Sequence, residues 1–228
     1  MNIAVLLHGS GVYDGTEIHE AVFTLLAIEE AGHEYQCIAP DIEQHHVINH
    51  LNGEEMDEKR NVLIESARIA RGDVMELSKV KADDFDALLM PGGFGTAKNF
   101  TKWAFEGPNG DIVPSVKALV LDFVSSGKTI GALCMSPTTV AKALQGSEYS
   151  ARLTVGSTHE ASPYDIGAIS EGVNATGAQS EMKTVREIAI DPELKIVTAP
   201  CYMMEASITE VRNNITQAVN EVIRPASE

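Results

Sequence analysis

The sequence predicts an α/β protein, a doubly wound three-layer sandwich built on a mostly parallel sheet. Short apolar runs bounded by turn residues alternate with stretches of helical spacing along the 228 residues. The apolar runs are nearly continuous, as expected for strands that helices cover on both faces. Parallel strands need long connections, so this alternation indicates right-handed crossovers. In such a fold the ligand site lies beyond the carboxyl ends of the strands.

The elements follow one another along a single domain that spans residues 1–228. Apolar runs predict strands at 2–7, 35–40, 86–90, 129–133, 153–156 and 195–199. Helical spacing predicts helices at 16–31, 113–126 and 205–224, and another helical pattern opens at Ser136. The charged segment around 41–81 is predicted to be an insertion that carries one or two helices.

Composition and charge exclude several classes of partner. A formal net charge of -16 repels phosphate backbones and anionic lipid headgroups, so nucleic acid and membrane surfaces are not expected partners. The cysteines, Cys37, Cys134 and Cys201, are too few for a disulfide framework and suit a reducing compartment. The first residues lack the basic start of a signal peptide, and no apolar run approaches ~18 residues. We therefore expect a cytoplasmic protein.

Residues 129–144, TIGALCMSPTTVAKAL, give the strongest local signal. A β-rich run stops at Cys134, and Ser136 and Pro137 then open a helical pattern. Serine is a favoured helix N-cap, and proline suits the first turn of a helix. A cysteine on such a turn resembles a nucleophile elbow, where the amides and dipole of the new helix favour the thiolate. The alternative is a buried structural cysteine.

A pair of glycines follows the strand at 86–90, in the segment MPGGFGTAKNF. Gly92 and Gly93 let the backbone turn tightly and present amides to a ligand. Two amides here, or one here and that of Met135, would hold the negative oxygen that develops when a thiolate attacks a carbonyl. A plain strand-ending turn is the alternative.

The loop after the first strand, HGSGVYDGTEIHE, has two interpretations. Gly9, Gly11 and Gly15 resemble a stretched dinucleotide fingerprint, with Asp41 where a ribose-binding acid would follow the second strand. The spacing departs from that fingerprint, however, and three acids would repel a pyrophosphate: Asp14, Glu17 and Glu20. A loop that brings a carboxylate toward Cys134 fits better, and a solvated helix face is the alternative.

The histidines are candidates for a metal site and for the pocket. His45, His46 and His50 form an HHxxxH run, but a metal site would need a helix and a third ligand there, so no metal is predicted. His8 ends the first strand and is a candidate pocket residue. His159, in GSTHEAS, follows the strand after the elbow and is a candidate base or orienter for the cysteine.

Six segments spread along the chain match a known group when they are taken together. They are HGSGVYDGTEIHEA, VINHLNGE, RNVLIESARIARG, MPGGFGTAKN, GALCMSP and KIVTAPCYM. Together they resemble the ElbB branch, named for enhancing lycopene biosynthesis, of the ThiJ/PfpI superfamily, which is class I glutamine amidotransferase-like. The resemblance covers essentially the whole chain.

The resemblance implies a flavodoxin-like sandwich, usually a homodimer, with a nucleophile elbow. By position, Cys134 matches the elbow cysteine, and Glu20 matches an acid from the first βα loop. The backbone of Gly93 and Met135 matches the oxyanion hole. The branch is associated with glyoxalase-type activity on small 2-oxoaldehydes and, genetically, with isoprenoid output.

The sequence also departs from relatives in this superfamily. Glutamine amidotransferases complete a triad with a late His-x-Glu, whereas the only histidine after the elbow is His159, and Glu160 is directly adjacent to it. Superfamily proteases carry a histidine directly after the nucleophile, where Met135 stands. Glutamine amide transfer and proteolysis are therefore not expected.

The leading hypothesis is a glutathione-independent, cofactor-free glyoxalase-like lyase that acts on a small carbonyl substrate, methylglyoxal or glyoxal. The Cys134 thiolate adds to the aldehyde carbon, Glu20 moves a proton through an enediol, and water releases a 2-hydroxy acid. A second hypothesis is a non-catalytic redox protein in which Cys134 oxidises. A third is a small amide or ester hydrolase, which requires His159 to reach the sulfur.

Overall fold

The computed structural model describes residues 1–224, which form nine strands and seven α-helices. The strands are β1 (Asn2–Leu6), β2 (Glu34–Ala39), β3 (Val74–Glu76), β4 (Ala87–Met90), β5 (Thr129–Leu133), β6 (Arg152–Leu153), β7 (Gln179–Ser180), β8 (Ala189–Asp191) and β9 (Ile196–Ala199). The helices are α1 (Ile18–Glu30), α2 (Val62–Ile69), α3 (Trp103–Glu106), α4 (Pro114–Ser125), α5 (Ser136–Leu144), α6 (Ile166–Ala175) and α7 (Ile208–Val222).

Seven of these strands form the central sheet, in the order β3-β2-β1-β4-β5-β9-β8. All neighbours pair in parallel except the edge strand β8, which runs antiparallel to β9. Helix α1 packs against α2 and α7, while α4 packs against α5. Right-handed crossovers place these two groups of helices on opposite faces of the sheet. The predicted α/β three-layer fold is confirmed.

Apolar strands and capped helices explain why this chain folds in this way. Every residue of β4 and β9 is buried, as expected for strands covered on both faces. Helix α1 is capped by Glu17, whose carboxylate accepts the Glu20 N–H. Helix α7 begins with a reciprocal capping box between Ser207 and Glu210. No helix within residues 1–224 is long and apolar enough to cross a membrane.

The direction of the chain along the sheet reverses at β1. Strands β2 and β3 lie on one side of it, and β4, β5, β9 and β8 lie on the other. The carboxyl ends of parallel strands meet at one edge of a sheet, and a crevice opens where the strand order reverses. The segments that follow β1, β4, β5 and β9 therefore converge there.

The segment 41–81 contains one α-helix, as predicted, but it is not an insertion, because it also contributes a strand to the central sheet. Its first half is irregular and held by two isolated bridges, Glu43 with Asn61 and Ile48 with Glu55. Its second half contains one α-helix, α2, and the edge strand β3, which pairs with β2. The segment therefore completes the sheet. Strand β3 is only three residues long and half-buried, so its apolar signal is weak.

The predicted strand at 153–156 is also placed differently. Only Arg152 and Leu153 are extended, and they pair with Gln179 and Ser180 in a separate small sheet. Helix α6 and strand β8 fill the rest of the region before β9, and neither was predicted. This part of the chain is rich in loops, so hydrophobic periodicity says little about it.

Candidate functional site

Cys134 occupies the turn between β5 and α5. Its φ is +57°, in the left-handed region, which is strained for a residue other than glycine. Its N–H donates to the carbonyl of Ala199 at the end of β9, at 2.8 Å. The strand, the strained turn and the following helix together form the predicted nucleophile elbow.

Ser136 does not cap helix α5 as the sequence predicted. It is already the first helical residue, after Met135. Its hydroxyl instead donates to the carbonyl of Pro91 at 2.6 Å. Ser136 therefore ties the elbow to the loop that follows β4.

Glu20 lies in the first turn of α1, and its side chain is fully buried. Its Oε2 accepts the Gly92 N–H at 2.9 Å, and its Oε1 accepts the Tyr202 N–H at 3.2 Å. The carboxyl also lies beside the Cys134 thiol, and each group shifts the pKa of the other. The loops that follow β4, β5 and β9 therefore hold the Glu20 carboxyl beside the Cys134 sulfur.

The two glycines after β4 have distinct roles. A Cβ on Gly92 would lie 2.6 Å from Glu20 Oε2 and 2.9 Å from Cys134 Sγ, so only glycine fits between them. Gly93 has a φ of +107°, which glycine adopts without strain. The backbone amides of Gly93 and Met135 lie near the Cys134 sulfur and act to lower the pKa of its thiol. These are the two amides that the resemblance assigned to an oxyanion hole.

Burial dominates the electrostatics of the pair. Together with a smaller contribution from the neighbouring Glu17 carboxyl, it raises the pKa of Glu20 to about 8. Burial also raises the pKa of Cys134 well above that of a free thiol, and Glu20 adds to the shift. The amides of Gly93 and Met135 oppose this shift. The expected lowering of the thiol pKa is thus wrong in direction, because desolvation outweighs the amides and the helix dipole.

His8 does not line the pocket as expected. It is fully buried, and its Nε2 lies 3.1 Å from the carbonyl of Pro91. Burial lowers its pKa to about 4, so the ring is neutral at physiological pH and donates from Nε2. The carbonyl of Pro91 therefore accepts hydrogen bonds from both His8 and Ser136. It belongs to the same peptide as the Gly92 N–H, which donates to Glu20.

His159 is not brought to the thiol either. It is exposed, and its backbone N–H donates to Ser157 Oγ at 3.1 Å. No hydrogen bond or ion pair within residues 1–224 joins it to Cys134. The loop that carries it is exposed at residues 158–161, and Tyr164 from the same region approaches the site instead. The hydrolase hypothesis therefore lacks the base that it needs.

Tyr164 and Tyr202 lie near the site and were not predicted from the sequence. The Tyr202 N–H binds Glu20, and burial together with Cys134 and Glu20 raises the pKa of Tyr164 to about 12. Tyr202 lies in KIVTAPCYM, a segment of the resemblance, so its position was a usable signal. Tyr164 lies in an irregular loop that carries no such signal.

The HHxxxH run forms no helix. His45 and His46 stack on each other and on Phe105, with ring centroids 4.4 Å apart for the two histidines. His50 lies apart from them, where its Nε2 accepts the Tyr13 N–H at 3.2 Å. Within residues 1–224 there is no group of three or more side chains arranged to hold a metal ion.

A cysteine elbow, an acid from the first βα loop and a glycine turn after β4 are now in one place. The model of the DJ-1/PfpI family matches residues 5–162, more than half of the chain and most of this site. The chain belongs to the DJ-1/PfpI family. The superfamily part of the resemblance is thereby confirmed.

Two curated relatives are similar to this chain over most of their length. A human protein, "Glutamine amidotransferase-like class 1 domain-containing protein 3, mitochondrial", is 40% identical over 223 residues, which is 97% of this chain and 82% of that protein. The "ES1 protein, mitochondrial" of Danio rerio is 31% identical over 213 residues, 90% of this chain and 77% of that protein.

Solved structures of DJ-1/PfpI-like proteins agree with the fold. An "isoprenoid biosynthesis protein with amidotransferase-like domain" from Ehrlichia chaffeensis is 32% identical, with a TM-score of 0.87 over 98% of this chain and 99% of that one. Drosophila melanogaster DJ-1beta is 16% identical, with a TM-score of 0.55 over 97% and 89% of the two chains. The second likeness is one of fold alone.

Proposed function

We propose that this protein is a glutathione-independent, cofactor-free glyoxalase-like lyase that converts small 2-oxoaldehydes to 2-hydroxy acids. One observation carries the proposal. The Cys134 sulfur, two backbone amides and the Glu20 carboxyl share one buried site. A nucleophile, an anion-stabilising pair and a proton carrier are the parts that this reaction needs.

The first step of the proposed reaction forms a hemithioacetal. Because the pKa of Glu20 is about 8, only a small fraction of it is ionised at neutral pH, and this carboxylate accepts the thiol proton far more readily than an ordinary carboxylate does. The sulfur of Cys134 then forms a bond to the aldehyde carbon, and the aldehyde oxygen becomes a hydroxyl by taking the proton from Glu20. The amides of Gly93 and Met135 stabilise the negative oxygen before it is protonated.

The second step moves a proton between the two carbons of the substrate. The Glu20 carboxylate removes the proton from the carbon attached to sulfur, which gives an enediolate, and returns it to the adjacent carbon, while the hydroxyl proton passes from the oxygen on the first carbon to the oxygen on the second. The product is a thioester of the 2-hydroxy acid on Cys134. Water then breaks the carbon–sulfur bond, which releases the acid and restores the thiol. The sum is one water added to one 2-oxoaldehyde.

The test compares Cys134→Ala with Cys201→Ala, a second buried cysteine that follows the neighbouring strand. Methylglyoxal consumption and lactate formation are both measured. We expect Cys134→Ala to lose all measurable turnover, because the covalent step disappears, while Cys201→Ala keeps most of it. A Cys134→Ala protein as active as wild type would remove the proposal.

Membership in the ElbB branch and a link to isoprenoid metabolism belong to the proposal as well. The name of the Ehrlichia chaffeensis protein supports both, since it is called an isoprenoid biosynthesis protein.

A homodimer also stays a proposal. Helix α1 offers a surface for a second copy, since Ile18, Val22 and Leu26 are exposed on one side of it. A cytoplasmic location stays a prediction, because the human and fish relatives are named as mitochondrial.

A non-catalytic redox role is the second candidate, and the Glu20 contact favours it. The raised pKa keeps Glu20 protonated at neutral pH, so it can donate a hydrogen bond to a sulfinate on Cys134. Intact-mass measurement after mild peroxide treatment separates the two candidates. Selective oxygen addition at Cys134 without any aldehyde turnover would support the redox role.

A further inference from the structure

A groove of about 420 Å³ opens beside the first turn of α1. Three tyrosine rings line it, together with smaller apolar side chains: Tyr13, Tyr164, Tyr202, Val12, Pro163 and Met204. Its volume falls within the range of ligand pockets, about 300–1,000 Å³. A substrate as small as methylglyoxal would leave most of it unfilled.

The groove adjoins the buried cysteine and acid. The N–H of Tyr202 donates to Glu20 Oε1 at 3.2 Å, so one wall is attached directly to the carboxyl. Tyr164 lies close enough to Cys134 and Glu20 for their charges to raise the pKa of its hydroxyl. A molecule whose reactive carbon meets the sulfur would therefore extend into this groove.

The charges along the groove disfavour anions. Glu17 and Glu205 line it, and no lysine or arginine is among its lining residues in the described part of the chain. The ring of His19 is engaged, with Nδ1 3.0 Å from the Tyr202 hydroxyl and 4.0 Å from the Glu17 carboxylate. The net charge of -16 adds a repulsive field over the whole surface.

We propose that this groove binds the substituent of the 2-oxoaldehyde, and that the substituent is an uncharged aromatic group. The inference rests on the proposed function for the identity of the reacting group. Aromatic rings pack edge-to-face or offset against tyrosines, and such contacts add to the free energy gained by burying apolar surface. A carboxylate on the substituent would face Glu17 and Glu205, and no lysine or arginine among the groove's lining residues in the described part of the chain would balance it.

Thiol labelling tests the groove without any turnover. Three reagents are compared on the intact protein: N-phenyliodoacetamide, iodoacetamide and iodoacetate, each rate divided by its rate with glutathione. Labelling at Cys134 is located by peptide mass. We expect the aromatic reagent to exceed iodoacetamide by about tenfold, and iodoacetate to fall below iodoacetamide by a similar factor.

Variants decide which residues cause the selectivity. Tyr164→Ala and, separately, Tyr202→Ala should bring the ratio of aromatic to small reagent toward one. Tyr35→Ala is the matched control, since this exposed tyrosine lies at the opposite edge of the sheet on β2 and should leave the ratio unchanged. Glu205→Gln should raise the relative rate of iodoacetate.

Turnover provides an independent second measurement, in which phenylglyoxal should show a lower KM than methylglyoxal. Equal normalised rates for the aromatic and small reagents, or a ratio that survives both tyrosine variants, would overturn the inference. A preference for a quaternary-ammonium iodoacetamide over the phenyl reagent would overturn it too, by making the groove a cation site. Selective labelling without conversion of either aldehyde would support the aromatic binding groove and disprove the proposed lyase activity.

Discussion

Cys134 and Cys201 occupy equivalent places in the fold and have different surroundings. Each follows one of two neighbouring parallel strands, β5 and β9, and each has a positive φ, +57° and +48°. Both are buried, and burial raises the pKa of both thiols. Backbone strain, burial and position at the sheet edge therefore do not distinguish a reactive cysteine from a structural one.

The difference lies in what surrounds each sulfur. The Cys134 sulfur meets two backbone amides and the Glu20 carboxyl, which can take its proton. The charge of Glu20 acts on the Cys201 thiol only from a distance, and the Cys201 N–H donates to Asn214 Oδ1 at 3.0 Å. The comparison teaches that a proton acceptor in contact with the sulfur sets the candidate nucleophile apart.

The largest expected effect comes from Glu20→Gln, which makes the surroundings of Cys134 more like those of Cys201. Turnover should fall by about 10²–10⁴-fold, because the proton carrier is gone. Alkylation of Cys134 above the Glu20 pKa of about 8 should instead become faster, since the carboxylate no longer raises the thiol pKa. Iodoacetamide kinetics and methylglyoxal turnover measure the two effects.

Glu29→Gln is the matched control for Glu20→Gln, because it removes an exposed carboxylate from the same helix. It should change neither quantity. If alkylation and turnover fall together in Glu20→Gln, the carboxyl does not oppose ionisation of the thiol, and the contrast between the two cysteines loses its cause.

The next effect is on stability. The pKa of Glu20 is raised from 4.5 to about 8 in the folded protein, so between these values the folded state holds a proton that the unfolded state has lost. Stability therefore falls as pH rises through this interval, by up to about 1.4 kcal/mol per pH unit from this group. Urea unfolding of wild type and Glu20→Gln should show a shallower decline for the variant. Parallel declines would mean that Glu20 ionises normally.

Some of this could be predicted from the sequence. Apolar runs and turn residues are local signals, and they located β1, β2, β4, β5 and β9 together with the elbow at Cys134. Glu20 was assigned only through the family resemblance. The direction of the thiol pKa was missed because it depends on how completely loops from distant parts of the chain cover the site. Tyr164 and Tyr202 belong to those loops, and no spacing rule links them to Cys134.

A third change tests the narrow space between sulfur and carboxyl. Gly92→Ala adds a Cβ within 2.9 Å of Cys134 Sγ and 2.6 Å of Glu20 Oε2, so the two groups must separate. We expect a stability loss of about 1–3 kcal/mol, which urea unfolding measures, and a clear loss of turnover. Gly167→Ala in α6 is the control, since its nearest contact would be an ordinary 3.4 Å. Full activity in Gly92→Ala would mean that the close approach is not needed.

The smallest expected effect concerns the peptide that joins Pro91 to Gly92. Its carbonyl accepts from Ser136 at 2.6 Å and from His8 at 3.1 Å, and its N–H donates to Glu20 at 2.9 Å. Hydrogen bonds in such a chain polarise one another, by about 10–30% per bond. The Gly92 N–H is thus a stronger donor to the Glu20 carboxylate while Ser136 is present.

Ser136→Ala removes one of these donors and should cost about 0.5–1.5 kcal/mol of stability. Because the Gly92 N–H then stabilises the carboxylate less, the Glu20 pKa should rise by a fraction of a unit, and turnover should fall a few-fold. The pH profile of turnover, whose limb near pH 8 reports Glu20, measures this shift. Ser125→Ala, at the exposed end of α4, should leave the profile unchanged. A shift toward lower pH in Ser136→Ala would show that the peptide does not transmit the effect, because weakening a donor to a carboxylate can only raise its pKa.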